Sequence, residues 1–131
     1  MLREIVAIVR CNRWRASAEA LQDTGFAALT RQRVFGRGRQ RGLRHPGGRP
    51  GDVRVSTLPK WMLTLVVEDE RVDAAVAALL KANRSGDIGD GKIFVLKVSG
   101  VRRVSDGAHD RRALEDATLL PPAGAIAAVA P

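Results

Sequence analysis

Residues 60–98 read KWMLTLVVEDERVDAAVAALLKANRSGDIGDGKIFVLKV, and their reading decides the fold. Lys60 to Glu68 is a run of aliphatic, β-branched and aromatic residues, the composition of a buried strand. Asp69 or Glu70 offers an acidic start to a helix over Arg71 to Asn83. There Val72, Ala75, Val76, Leu79 and Leu80 fall along one face at helical spacing. Ser85 to Lys92 (SGDIGDGK) is a glycine-rich loop, and it runs directly into Ile93 to Val98 (IFVLKV), another strand. The order is strand, helix, strand.

The residues before it repeat that order. Glu4 to Arg10 (EIVAIVR) is a short β-branched run flanked by charge, as a strand requires. Arg13 to Thr24 places Trp14, Ala18, Ala20 and Leu21 at helical spacing, with Gly25 as its C-terminal cap. Phe26 to Phe35 reads as a strand of weaker alternation. Two β-α-β halves in series predict an α+β fold, the ferredoxin-like βαββαβ sandwich with both helices on one face of a four-stranded antiparallel sheet. The opposite face would carry Ile, Val and Leu, so a second copy is expected to cover it.

Between the halves the composition changes. Gly36 to Arg54 holds six Gly, two Pro and six Arg against one Asp, a net charge of +5 with no apolar period. A loop of this length inside a compact domain is a functional expectation. The whole chain, 131 residues at net charge +8, fits one domain with an anionic partner or ligand. Residues 1–112 form that domain, with an arm at 36–58, a second loop at 84–92, and a tail at 113–131 whose end is rich in Ala and Pro. Cys11 is the only cysteine and His45 and His109 the only histidines, so no disulfide or thiolate metal cluster is expected, and Cys11 reads as a packed residue. No apolar run reaches signal-peptide or membrane-span length, which predicts a cytoplasmic protein that is not integral to a membrane.

Two segments carry binding chemistry. In Gly89-Asp90-Gly91-Lys92, glycines let backbone N–H groups approach an anion and Lys92 adds charge; a tight turn alone would also use these residues. Gly36-Arg37-Gly38-Arg39-Gln40-Arg41-Gly42 departs from GxGxxG and no helix follows it, which excludes a dinucleotide fingerprint. Its forked guanidiniums suit phosphate or carboxylate, and the Gln40 carbonyl oxygen suits Mg2+. A solvated basic loop is the plainer alternative.

Together these segments resemble the PII nitrogen-regulatory signal-transduction family. Ser85 to Val95 is similar to its C-terminal signature, and the spacing to the 36–42 segment, to Leu58-Pro59-Lys60 and to Phe26-Ala27-Ala28-Leu29-Thr30 fits as well. Residues 34–42, 58–63 and 66–70 look most like the nitrogenase-associated branch. The resemblance implies a homotrimer, alone or mixed with a paralogue, with ATP or ADP between subunits. It implies Ile8, Thr30 and Val66 around the adenine and ribose. Gly36, Arg37, Gly38, Arg39, Gln40, Gly89, Asp90, Gly91, Lys92 and Arg103 would complete the nucleotide site. Gln40 would ligate Mg2+, and 2-oxoglutarate would lie against Lys60 and residues Gly38, Arg39, Gln40, Arg41 and Gly42. The 36–58 arm would then control a target protein, with nitrogenase favoured over an ammonium channel or a metabolic enzyme. Two departures stand out: Ser105 occupies the place of a second phosphate arginine, and no Tyr exists for uridylylation.

Other classes fit less well. An RNA-binding ferredoxin-like sheet would show stacked aromatics, and the last strand offers only Phe94, so no nucleic acid partner is expected. No nucleophile–base pairing is spaced for catalysis, so an enzyme is not expected and no catalytic residue is assigned.

Overall fold

The computed structural model describes residues 1–38 and 57–115. Four strands, β1 (Leu2–Arg10), β2 (Thr30–Gly36), β3 (Leu58–Glu68) and β4 (Lys92–Val98), and two helices, α1 (Trp14–Asp23) and α2 (Val72–Asn83), follow in the order β1-α1-β2-β3-α2-β4. The sheet order is β2-β3-β1-β4 with every neighbour antiparallel. This is the ferredoxin-like split β-α-β arrangement expected above. Arg39 to Gly42, the rest of the arm to residue 56, and the tail beyond Glu115 lie outside the described residues.

Alternation places the core. Ile5, Ala7 and Val9 of β1 and Leu63, Leu65 and Val67 of β3 point to the helices, where they meet Leu21, Ala75 and Leu79. Cross-strand partners share a face, so Val6 and Ile8, opposite Phe94 and Lys92 respectively, lie on the other side. Ser17 is the one fully buried polar residue among the described core. Its hydroxyl donates to Arg13 O at 2.7 Å and accepts from Asn83 Nδ2 at 2.8 Å, tying α1 to α2.

Three boundaries differ from the sequence reading. β2 starts at Thr30 rather than Phe26, because the chain first closes α1: Gly25 adopts φ +99° and its N–H bonds Gln22 O, while Phe26 N–H bonds Leu21 O. Phe26 is then buried as part of that cap, not as a strand residue. β3 begins at Leu58, two residues early. Its pairing with β1 ends at Lys60, so Pro59 costs no bond on that side. Leu80, placed on the buried face of α2 from its spacing, is 39% exposed at the helix rim. Cys11 is half-buried in a short turn after β1.

Candidate functional site

The register sets Arg10, at the end of β1, opposite Lys60 of β3, so two cations leave the sheet side by side. Both reach the 85–91 loop. Arg10 Nη2 donates to Ile88 O at 2.8 Å and its Nε lies 3.5 Å from Asp90 Oδ1. Lys60 Nζ donates to Gly89 O at 2.9 Å. Burial first, and then the neighbouring Arg10 charge, lower the Lys60 pKa.

Asp90 shapes the loop from within. Its carboxylate accepts Ser85 N–H at 2.8 Å, Gly86 N–H at 3.1 Å and the Ser85 hydroxyl. These bonds, the Ser85 hydroxyl foremost, hold its pKa down to about 2. Gly91 has φ +111°, and a Cβ there would stand 1.8 Å from Ile8 O, so only glycine lets the loop lie on β1. Ile8, Lys60, Gly89, Asp90, Gly91 and Lys92 therefore converge at one end of the sheet, as Lys92 pairs with Ile8. Gly36 closes β2 opposite Leu58, with Arg37 and Gly38 exposed just beyond it.

Thr30, Val66 and Arg103 sit elsewhere. Thr30 and Val66 line a cleft of about 420 Å³ with Ala27, Ala28 and Leu114. Val66 also lines an adjoining cleft of about 570 Å³ with Phe26, Arg71, Arg103 and Ser105. Val66 opposes Glu4 on β1, whereas Ile8 opposes Met62. That four-residue offset is roughly 13 Å along the strands. The described residues expected at one nucleotide thus fall in two separate places in the single chain. Residues 113–115, the start of the expected tail, help wall the second.

Two groups escaped the sequence reading. Arg10 looked like a charge bounding a strand; only its register with Lys60 marks it as a loop anchor. Asp106 drew no assignment from the sequence, yet it grips the Arg103 guanidinium at 2.9 and 3.0 Å. Neither has a one-dimensional signal. Among the described residues no cluster of three His, Cys, Asp or Glu could hold a metal, and the proposed Mg2+ ligand Gln40 lies outside them.

Fold and clefts define a ferredoxin-like domain with basic, glycine-lined surfaces at two ends of one sheet. Residues 2–108 match the family described as "Nitrogen regulatory protein P-II", and the chain belongs to that family. It is 37% identical, over 86% of its length and 100% of the relative's, to "Nitrogen fixation nifHD region glnB-like protein 2" of Methanococcus maripaludis. It is 40% identical, over 86% of its length and 97% of the relative's, to "Nitrogen regulatory protein P-II 2" of Methanothermobacter thermautotrophicus. These similarities place it with the nitrogen-fixation-associated branch. A solved structure of the PII protein of Arabidopsis thaliana bound to citrate superposes with a TM-score of 0.72 at 29% identity, covering 88% of this chain and 91% of that one.

Proposed function

We propose that this nitrogen-regulatory protein is a cytoplasmic, non-enzymatic sensor that binds ATP or ADP and 2-oxoglutarate and relays their balance through its 36–58 arm. The reading rests most on Lys60. Its ammonium is partly desolvated beside Arg10, and its recorded acceptor is a loop carbonyl, Gly89 O, rather than a carboxylate. A dicarboxylate at that end would meet two converging cations and offset their repulsion. The citrate bound to the plant relative, itself a polycarboxylate, supports the same chemistry.

The split of the nucleotide residues supports a homotrimer in which the Gly89–Lys92 end of one subunit faces the Val66–Arg103 end of the next. Gly89 and Gly91 carry no side chain and Lys92 adds charge beside them, which suits close approach of a phosphate to the loop backbone. Mg2+, held by Gln40 and the ligands' own oxygens, would screen the phosphate and carboxylate charges. Ligands with different affinity for two arm conformations shift their populations, and through them the affinity for the target. Relatives carrying the words "nitrogen fixation nifHD region" favour nitrogenase as that target.

Calorimetry on Lys60→Ala tests the reading: 2-oxoglutarate binding in the presence of Mg-ATP is lost while ADP binding stays within about two-fold. Unchanged 2-oxoglutarate affinity in that variant would remove Lys60, and with it the sensor assignment.

A further inference from the structure

We infer that Asp106 is an intrachain stand-in for phosphate, occupying the Arg103 fork that a nucleotide must use and so setting nucleotide affinity from within the chain. This rests on the nucleotide reading proposed above.

Every nitrogen of the Arg103 guanidinium is engaged by the chain itself. Nε donates to Asp106 Oδ1 at 3.0 Å and Nη2 to Asp106 Oδ2 at 2.9 Å, a bidentate fork, while Nη1 donates to Glu115 O at 3.3 Å. Carboxylate and phosphate oxygens take the same fork, so the two compete for one donor pair. Asp106 is also fixed independently of Arg103. Ala108 N–H donates to its Oδ1 at 3.0 Å, and the turn is closed by Arg103 N–H on Ala108 O and Gly107 N–H on Arg103 O, each at 2.8 Å. A displaced carboxylate therefore stays beside the incoming phosphate and repels it.

Exposure decides whether such a contact blocks or tunes. The Arg103 and Asp106 side chains are 27% and 49% exposed, on the wall of the cleft that Val66 and Ser105 also line. A water-exposed ion pair is weak enough to exchange for a ligand. The pair consequently weakens nucleotide binding by a modest factor rather than forbidding it.

Asp106→Asn keeps an oxygen for the Ala108 N–H but removes the charge and one arm of the fork. Calorimetry of the full chain with ATP and with ADP is expected to show binding about five-fold tighter than wild type, the scale of an exposed bidentate pair. Arg103→Ala is expected to bind more weakly, and Asp106→Asn to bring no gain in that background. Affinity in Asp106→Asn no tighter than wild type for both ATP and ADP would overturn the inference, as would a gain that persists without Arg103. Absence of nucleotide binding in wild type and every variant is a separate result: it refutes the nucleotide reading itself, and this inference falls with it.

Discussion

Asp90 and Gly91 are adjacent and act by opposite means, one through the bonds it makes and the other through the atom it lacks. Asp90 gathers Ser85 and Gly86 N–H groups that would otherwise bond only water at the start of the loop. Its pKa is depressed from 3.8 to about 2, so its bonds contribute above pH ~4 and are lost as pH falls toward 2. Carbon-detected titration of the Asp90 carboxyl should find a midpoint near 2, with faster amide exchange at Ser85 and Gly86 across that interval. A midpoint at the ordinary value of 3.8 would contradict the staple role. Asp90→Asn should loosen the same amides at neutral pH. Gly91→Ala meets a backbone carbonyl at 1.8 Å in a left-handed conformation, so neither rotamer change nor side-chain movement relieves it. We expect a loss of about 3 kcal/mol in denaturant unfolding, the range for backbone strain plus a displaced strand end.

At the scale of elements, β2 is an edge strand with most of its residues exposed, and a stack of rings and guanidiniums fastens it to α1. Arg31 lies 3.7 Å from the Trp14 ring centroid and 4.7 Å from that of Trp61, with the two rings 6.0 Å apart. Arg33 adds a further contact to Trp61 at 5.2 Å. Arg31→Ala should destabilise the fold by about 1 kcal/mol, the upper scale of an exposed cation–π contact here made to two rings, and shift Trp fluorescence to the red. An unchanged spectrum and midpoint would mean the stack is decorative. None of this was legible in the sequence, since Arg31 and Trp14 belong to different elements and meet only across the fold. What was legible is periodic: all four strands, both helices and their order follow from residues such as Ile5, Leu63 and Leu79 recurring on one face. Boundaries failed where a local bond outranked the pattern. Phe26 is apolar and follows Gly25, yet its N–H closes α1, and the strand waits until Thr30. The site was legible as loops but not as partners. Glycines at 89 and 91 announce themselves by type, whereas Arg10 and Asp106 act through neighbours that register and turn geometry choose.

For the molecule as a whole, the sheet has one face on the helices and one that the described residues leave largely uncovered. β4 shows the consequence: Phe94 and Leu96, on the face away from the helices, are 46% and 47% exposed. Val6 lies across from Phe94 on the same face, and Ile8 two residues on, so the apolar surface continues into the sheet interior. Leaving such area in water forfeits about 25 cal/mol per Å², and a further copy of the chain recovers it. The same assembly would bring Lys92 of one subunit toward Arg103 of the next, two residues that a single chain holds in separate places. Both consequences are tested by one substitution. Phe94→Glu places a charge midway along β4, at the edge of that face, while sparing Ile5, Leu63 and Leu79 beneath the helices. It should leave the circular dichroism unchanged, convert trimer to monomer in sedimentation equilibrium, and abolish ATP and ADP binding together. A folded monomer that still binds nucleotide with wild-type affinity would place the whole site within one chain. A variant that remains trimeric would mean that subunits meet through the edges of the sheet rather than through its apolar face.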